Sequence, residues 1–232
     1  EIIDAADGIM VARGDLGIET KAERVPVEQK RMVALARKMG KPSIIATQIL
    51  QSMVTSPIAT RAEVSDAATA IFDHADAFML SNETAVGAYP IKAVATLAKV
   101  AHETEEAIFS YEELSPALSS NADLEAIALN ACIMAEESAA KFIVILTHEG
   151  FTAREILKHR PKTPVIVITD LLRTAKYLNF FWGIEKLFVE EGSFSSEKAA
   201  ALLKKNKLIK KDDEIVVVKI SDSKRSLEVV RI

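Results

Sequence analysis

The stretch Gly8-Ile9-Met10-Val11-Ala12-Arg13-Gly14-Asp15 decides the fold. Its apolar run is too short for a helix and carries no alternation, so it reads as a strand buried on both faces. Arg13-Gly14-Asp15 then ends it abruptly with polar residues. Working outward, two runs of the same kind follow, Pro42-Ser43-Ile44-Ile45-Ala46 and Asp76-Ala77-Phe78-Met79-Leu80. A helical pattern comes after each strand. The first helix carries Pro26 near its start, Glu28 in its first turn and Gly40 just past its end. The second opens at Thr60-Arg61-Ala62-Glu63, a capping box in which Thr60 accepts from the Glu63 amide. The third opens at Tyr89-Pro90 and runs to about Ser110. Strand and helix alternating through short loops predict βα units on a parallel sheet.

The units are in phase. Arg13, Thr47 and Ser81 each end a strand, at intervals of 34 residues. That interval is about one βα unit of an eight-fold barrel, whose C-terminal strand ends carry the chemistry. Here those ends read Arg13-Gly14-Asp15, Thr47-Gln48 and Ser81-Asn82-Glu83-Thr84. Eight units would need about 270 residues, and three are present. The outer two strands therefore lack barrel neighbours and leave apolar edges. The chain reads either as the C-terminal part of a larger protein or as a smaller open α/β sheet. Its opening, Glu1-Ile2-Ile3-Asp4, with no Met and no basic segment, favours the first and is no signal peptide.

Residues Tyr111 to Asn121, polar and punctuated by Pro116, read as a linker. Beyond them an Ala-rich helix is expected over Leu124–Ala140. Then come strand Phe142–Leu146, helix Thr152–His159, strand Pro164–Ile168, helix Leu171–Leu178, strand Lys186–Val189, helix Ser195–Asn206 and strand Glu214–Lys219. A last strand, Leu227–Val230, follows so short a turn that it is expected antiparallel. The fold class expected is α/β: the last three βα units of a TIM-type barrel over residues 1–112, then a smaller open-sheet α/β domain over residues 113–232. The second domain carries no Gly-x-Gly-x-x-Gly and no Walker loop.

Composition bounds the function. Of the 232 residues 49% are hydrophobic and 27% charged, as in ordinary globular proteins. A net charge of −4 argues against a nucleic-acid partner, and no apolar run is long enough to span a membrane. A lone cysteine, Cys132, excludes an internal disulfide and favours a reducing, cytoplasmic setting. The four histidines lack metal-ligand spacing. The basic run from Lys204 to Lys211 is followed at once by Asp212, Asp213 and Glu214, and reads as a solvated helix end.

Four motifs carry a more specific resemblance: Met10-Val11-Ala12-Arg13-Gly14-Asp15-Leu16-Gly17, Gly40-Lys41-Pro42-Ser43-Ile44-Ile45-Ala46-Thr47-Gln48, Thr60-Arg61-Ala62-Glu63-Val64-Ser65-Asp66 and Ala75-Asp76-Ala77-Phe78-Met79-Leu80-Ser81. In order and spacing they resemble the pyruvate kinase family. The back half resembles that family's C-terminal domain more loosely, through Thr147 to Ala153 and Arg160-Pro161. The chain departs from the family pattern at Thr20-Lys21, where Ile-Pro is usual, at Ala59, where proline is usual, and at Asn82, where a glycine would serve a positive φ.

The resemblance implies transfer of a phosphoryl group from phosphoenolpyruvate to ADP, giving pyruvate and ATP, in a cytoplasmic homotetramer that uses Mg2+ and in which K+ is a further cofactor. From the residues alone Asp15 is either a helix cap or an oxygen ligand for a hard cation; the resemblance implies the Mg2+ ligand. Gly14 lets backbone amides approach an anion, and with Asp15 and Thr47 it is implied to bind substrate. Thr47, Arg13 and Ser81 are the implied catalytic residues, with Ser81 a member of a proton relay and Glu83 on the same rim. Arg13 is implied to be braced at a subunit interface by Arg61 of a neighbouring subunit. The remaining charges of the site, including a second metal carboxylate and a lysine, would precede Glu1, so this chain by itself is expected to be inactive. The alternative, of a different class, is a non-catalytic truncated domain that only folds or oligomerises. Thr147, Gly150 and Thr152 form the implied effector loop. Glu149 and Phe151 stand there in place of a hydroxyl and an arginine, and the tail from Ser221 to Ser226 carries no glycine, so fructose bisphosphate is not expected to activate; Lys224 or Arg225 could serve a different phosphorylated effector.

Overall fold

The computed structural model describes residues 1–111, 122–192, 195–220 and 225–232. The chain divides into two compact units, Glu1–Glu113 and Leu114–Ile232. Past residue 111, the expected linker lies outside the described residues.

In the first unit the elements run α1 (Ile2–Ala5), β1 (Ile9–Ala12), α2 (Arg13–Glu19), a 3-10 turn (Ala22–Arg24), α3 (Val25–Lys38), β2 (Ser43–Ala46), a second 3-10 turn (Gln51–Val54), α4 (Arg61–Phe72), β3 (Ala77–Met79), α5 (Asn82–Ala85) and α6 (Pro90–Tyr111). The three strands form one parallel sheet in the order β1-β2-β3. Ala12 pairs with Ala46, and Ala46 with Met79. The register therefore advances 34 residues at the first step and 33 at the second. Ser81 consequently sits one residue further past its strand than the regular phase puts it.

Local chemistry explains the helix ends. Pro26 lies in the first turn of α3, where its missing N–H costs nothing, and Gly40 adopts φ 60 just past the C-terminus. The expected capping box starts α4: Thr60 Oγ1 accepts from the Glu63 amide at 3.3 Å, and Glu63 accepts from the Thr60 amide at 2.8 Å. Gly8 is required sterically, because a Cβ there would lie 2.9 Å from the Pro42 ring and carbonyl. Lys41 closes α1 by donating to the carbonyls of Ile3, Asp4 and Ala6. Val11 and Ile45 from the strands, Ile49, Leu50 and Met53 from the loop after β2, and Val33 of α3 are wholly buried. Small residues, Ala67 and Ala70 of α4 and Ala93 of α6, let the helices close on them. Truncating a side chain such as Ile45 to alanine in such a core costs about 2–5 kcal/mol.

The second unit runs α7 (Ala122–Glu137), β4 (Phe142–Leu146), α8 (Phe151–Leu157), β5 (Val165–Thr169), α9 (Leu172–Leu178), β6 (Ile184–Val189), α10 (Ser196–Lys205), β7 (Glu214–Ile220) and β8 (Arg225–Arg231). Its sheet has the order β6-β5-β4-β7-β8. β4 to β7 are parallel, and β8 returns antiparallel to β7, as the short connection predicts. β4 and β5 are buried along their whole length, which is why both read as unbroken apolar runs. Ile143 and Ile145 pack against residues of α7, α8 and α9, while Val144 and Leu146 pack against Ala199 and Leu203 of α10. Helices thus cover both faces. Cys132 of α7 is fully buried; burial first, and then the Glu136 carboxylate, push its thiol up to about 12. Among the described residues no helix is long and apolar enough to cross a membrane.

Candidate functional site

The carboxyl ends of β1, β2 and β3 gather the residues singled out in the first unit. The amide of Gly14, in the first turn of α2, donates to Thr47 Oγ1 at 3.0 Å. Thr47 and Gln48 follow β2 directly and are both left-handed, with φ 67 and 55. Two such non-glycine residues in succession, one of them β-branched, cost roughly 1–2 kcal/mol apiece. Arg13 opposes that cost. Its Nε and Nη2 donate to the Thr47 carbonyl at 3.2 and 3.0 Å, and Nη2 also reaches the Gln48 carbonyl at 2.7 Å. Its Nη1 pairs with Asp66 of α4.

Arg13 is therefore committed within its own chain. Its side chain is 10% exposed, and its three donor nitrogens face two carbonyls and a carboxylate. Within the chain the carboxylate that braces Arg13 is that of Asp66. Arg61 begins α4, is exposed, and makes no hydrogen bond or ion pair among the described residues.

Asp15 is not a helix cap. The N-cap of α2 is Ala12, and Asp15 lies two residues inside the helix, exposed, with no hydrogen bond or ion pair among the described residues. No group of three or more His, Cys, Asp or Glu side chains gathers to hold a metal among the described residues. One free carboxylate still fits a Mg2+ ion, which is bound through one or two carboxylates, waters and substrate phosphates rather than in a closed protein cage.

Ser81 precedes α5, and its hydroxyl is buried without a hydrogen-bond partner among the described residues. Glu83 is completely buried and accepts from the Leu50 amide at 3.0 Å and the Ser81 amide at 2.9 Å. It ties the loop after β2 to the loop after β3. Asn82 is the first residue of α5 and has no positive φ, so the glycine expected at this position is not needed by the backbone. In a helical conformation Asn is merely a poorer former.

In the second unit, Thr147 follows β4 and its Oγ1 accepts from the Gly150 amide at 3.0 Å, with Gly150 left-handed at φ 80. Thr152 is buried inside α8, and Glu149 is exposed. His148 pairs through Nδ1 with Asp170 at 2.6 Å. The cleft between the ends of β4 and β5 and the start of α10 is lined by Leu146, Ile168, Glu190, Ser195 and Lys198, not by Thr147, Gly150 or Thr152. Ser221 to Lys224 of the expected tail contact lie outside the described residues.

Two residues escaped the sequence reading. Asp66 stands in a quoted motif but received no role, and Glu63 was read only as a cap. Glu63 also accepts from the Ser52 amide at 2.7 Å and the Ser52 hydroxyl at 2.6 Å, which fixes the loop after β2. A carboxylate at one helical turn from the capping glutamate was the available signal for Asp66; its partner, 53 residues away, was not.

Family models match both units of the chain. The family model described as "Pyruvate kinase, barrel domain" matches residues 1–94, and that described as "Pyruvate kinase, alpha/beta domain" matches residues 125–232. The chain belongs to the pyruvate kinase family. It is 42% identical over 222 residues to pyruvate kinase 2 of Synechocystis, covering 94% of this chain and 37% of that protein. It is 43% identical over 199 residues to the pyruvate kinase of Clostridium acetobutylicum, covering 84% and 42%. The crystal structure of a pyruvate kinase from Cryptosporidium parvum superposes with a TM-score of 0.85 at 37% identity, over 99% of this chain and 48% of that one. The chain thus spans less than half the length of these pyruvate kinase relatives. The three-stranded parallel sheet is part of a pyruvate kinase barrel, and the mixed sheet is that family's α/β domain.

Proposed function

We propose that this chain supplies one wall of the active site of a full-length pyruvate kinase, which transfers a phosphoryl group from phosphoenolpyruvate to ADP. The observation that supports the reading best is the Gly14 amide on Thr47 Oγ1 with the unpartnered carboxylate of Asp15 beside it. Phosphoryl transfer needs positioning and charge neutralisation more than covalent chemistry. Gly14 gives its own amide to Thr47 and carries no side chain, so a carboxylate or phosphate can approach the first turn of α2 beside it. Thr47 Oγ1 accepts from that backbone, which leaves its own O–H to donate to a substrate carboxylate or to pass a proton. The Ser81 hydroxyl, buried and without a partner among the described residues, is a second group able to hold a proton on the same rim. Asp15 would hold Mg2+, which supplies neutralisation of phosphate charge when bound. Arg13 keeps Thr47 in place.

The cytoplasmic homotetramer, with Arg61 at a subunit contact and K+ as a further cofactor, belongs to the same proposal. The rest of the site would come from sequence outside this chain. Loss of a single transition-state donor costs about 10²–10³ in rate, so the 232-residue chain made alone is expected to show no turnover. The experiment is Asp15→Asn in the full-length parent enzyme, assayed for ATP formation against Mg2+ concentration beside a thermal melt. Loss of Mg2+-dependent rate with an unchanged melt supports the reading; wild-type rate and Mg2+ dependence overturn it.

A further inference from the structure

Charged side chains are buried where the start of α7 meets the end of α8. Glu155, Lys158 and His159 are buried, and the side chain of Glu125 is 12% exposed. Glu155 and Lys158 satisfy each other, because Lys158 Nζ donates to both Glu155 oxygens at 2.7 and 2.8 Å. Arg160 lies over the Trp182 ring, 5.3 Å from its centroid. Glu125 is left with one cationic partner among the described residues, His159 Nε2 at 3.3 Å. Both of its carboxylate oxygens are buried, and neither accepts a hydrogen bond among the described residues. We infer that Glu125 and His159 form a pH-sensitive latch: the imidazole is held protonated, the charged pair ties the first turn of α7 to the end of α8, and rising pH releases it. The inference does not rest on the proposed function.

The surroundings favour the charged pair. A carboxylate taken out of water without hydrogen bonds needs a counter-charge. His159 is the group that meets Glu125, and a histidine changes its charge near neutrality. Glu125 lies in the first turn of α7, where the helix dipole favours an anion. His159 follows the last turn of α8, its amide donating to the Ile156 carbonyl at 3.1 Å, where the dipole favours a cation. The other charged groups around the imidazole are Glu155 and Lys158 of α8, Arg160 just beyond it and Asp123 of α7. The first two cancel each other, Arg160 is turned to Trp182, and Asp123 is exposed. Ala128, Ala131, Cys132 and Ala135 of α7 share one apolar cluster with Ala153, Ile156 and Leu157 of α8. The Glu125–His159 pair therefore closes the end of an apolar seam. A histidine held protonated by its fold contributes stability that is complete below its unfolded pKa, about 6.5, and lost as the pH rises through the folded value.

The test uses the whole 232-residue chain as wild type, Glu125→Gln, His159→Gln and the double variant. Trp182 is the chain's one tryptophan, so its fluorescence follows urea unfolding of the second unit. At pH 6 each single variant should lower the folding constant at least tenfold, and the double variant should lower it no further than the worse single one. At pH 9 the loss in Glu125→Gln should shrink below twofold or reverse. Equal losses at the two pH values, or additive losses in the double variant, would overturn the latch. Should the variants not fold, wild type decides by itself. Its His159 ring resonances, assigned by replacing the other three histidines in turn, should titrate above pH 6.5; a ring already neutral at pH 6 would overturn the inference. Hydrogen exchange locates the release. From pH 6 to pH 9, with the intrinsic pH dependence removed, the Ala128 and Ala131 amides of α7 should lose at least tenfold of their protection while Val144 and Val167 of the central strands keep theirs. Equal loss in the strands would mean general loosening and no latch.

Discussion

The amide of Gly14 lies 3.0 Å from the hydroxyl oxygen of Thr47, which ties the loop after β1 to the loop after β2 where the sheet opens. The contact is one between a backbone donor and a side-chain acceptor. A side chain added at Gly14 therefore leaves the bond possible but fills the space in front of it.

A Cβ at Gly14 would meet only Thr47 Oγ1, at an ordinary 3.6 Å, and Gly14 has no positive φ. Gly14→Ala should then stabilise α2 by about 0.5–1 kcal/mol, because glycine is the poorer helix former. In the parent enzyme the same methyl group should raise the KM for phosphoenolpyruvate at least tenfold. A thermal melt of the chain and a saturation curve of the parent, read together, check this. A Tm that rises with an unchanged KM would remove Gly14 from the binding surface.

Glu83 is buried and satisfies the amides of Leu50 and Ser81. Glu83→Ala strands both donors, at about 1–3 kcal/mol each. Glu83→Gln keeps one acceptor oxygen and should cost roughly half as much. Urea unfolding of both variants measures the difference.

Glu63 titrates below the ordinary range for a glutamate. Partial burial alone would raise it, but hydrogen bonds from Ser52 and Thr60 outweigh that effect. A carboxyl depressed in the folded state contributes stability above its unfolded pKa, near 4.5, and loses it as the pH falls through the folded value. Glu63→Gln should therefore destabilise the chain at pH 7 by about 0.5–2 kcal/mol, the worth of a cap. The gap to wild type should narrow below pH 4.5. Denaturant midpoints from pH 7 down to pH 3 check the slope; a gap that stays constant with pH would show that the charge is irrelevant.

The Cys132 thiol, pushed up to about 12, carries almost no thiolate at neutral pH and is buried in α7. Iodoacetamide at pH 8 should leave the native chain unmodified and label it fully in 6 M guanidinium. Mass spectrometry after one hour distinguishes the two; rapid native labelling would mean that α7 opens readily.

In the loop from Thr147 to Thr152, Thr147 Oγ1 accepts from the Gly150 amide, Thr152 is buried, and Glu149 presents a carboxylate to solvent. Two like charges at 4 Å repel by roughly 1 kcal/mol even in water. Millimolar fructose 1,6-bisphosphate should leave the substrate saturation curve of the parent enzyme unmoved. A leftward shift abolished by Thr152→Glu would reverse this reading.

Most of the secondary structure was legible because it is decided within a few residues. Thr60 and Glu63 form their box across one turn, Gly40 ends α3 on its own φ, and the apolar runs at Phe142–Leu146 and Val165–Thr169 are continuous because both faces of those strands are covered. The candidate positions at the strand ends were legible for the same reason, since a polar residue after a buried strand marks the rim. The partners at that rim were not. Nothing local announces that Thr47 and Gln48 are left-handed, because the signal for that conformation is glycine or asparagine and neither is there. Asn82 errs the other way, a residue that suggests a turn yet lies in helical backbone. The step of 33 residues between β2 and β3, the burial of Glu83 and the pairing of Arg13 with Asp66 each depend on where separate elements pack. The sequence by itself determined which residues reach the open end of the sheet. Only the tertiary structure decided which of them hold one another, because a hydrogen bond across 33 to 53 residues exists only after register and helix packing have brought its two ends within about 3 Å.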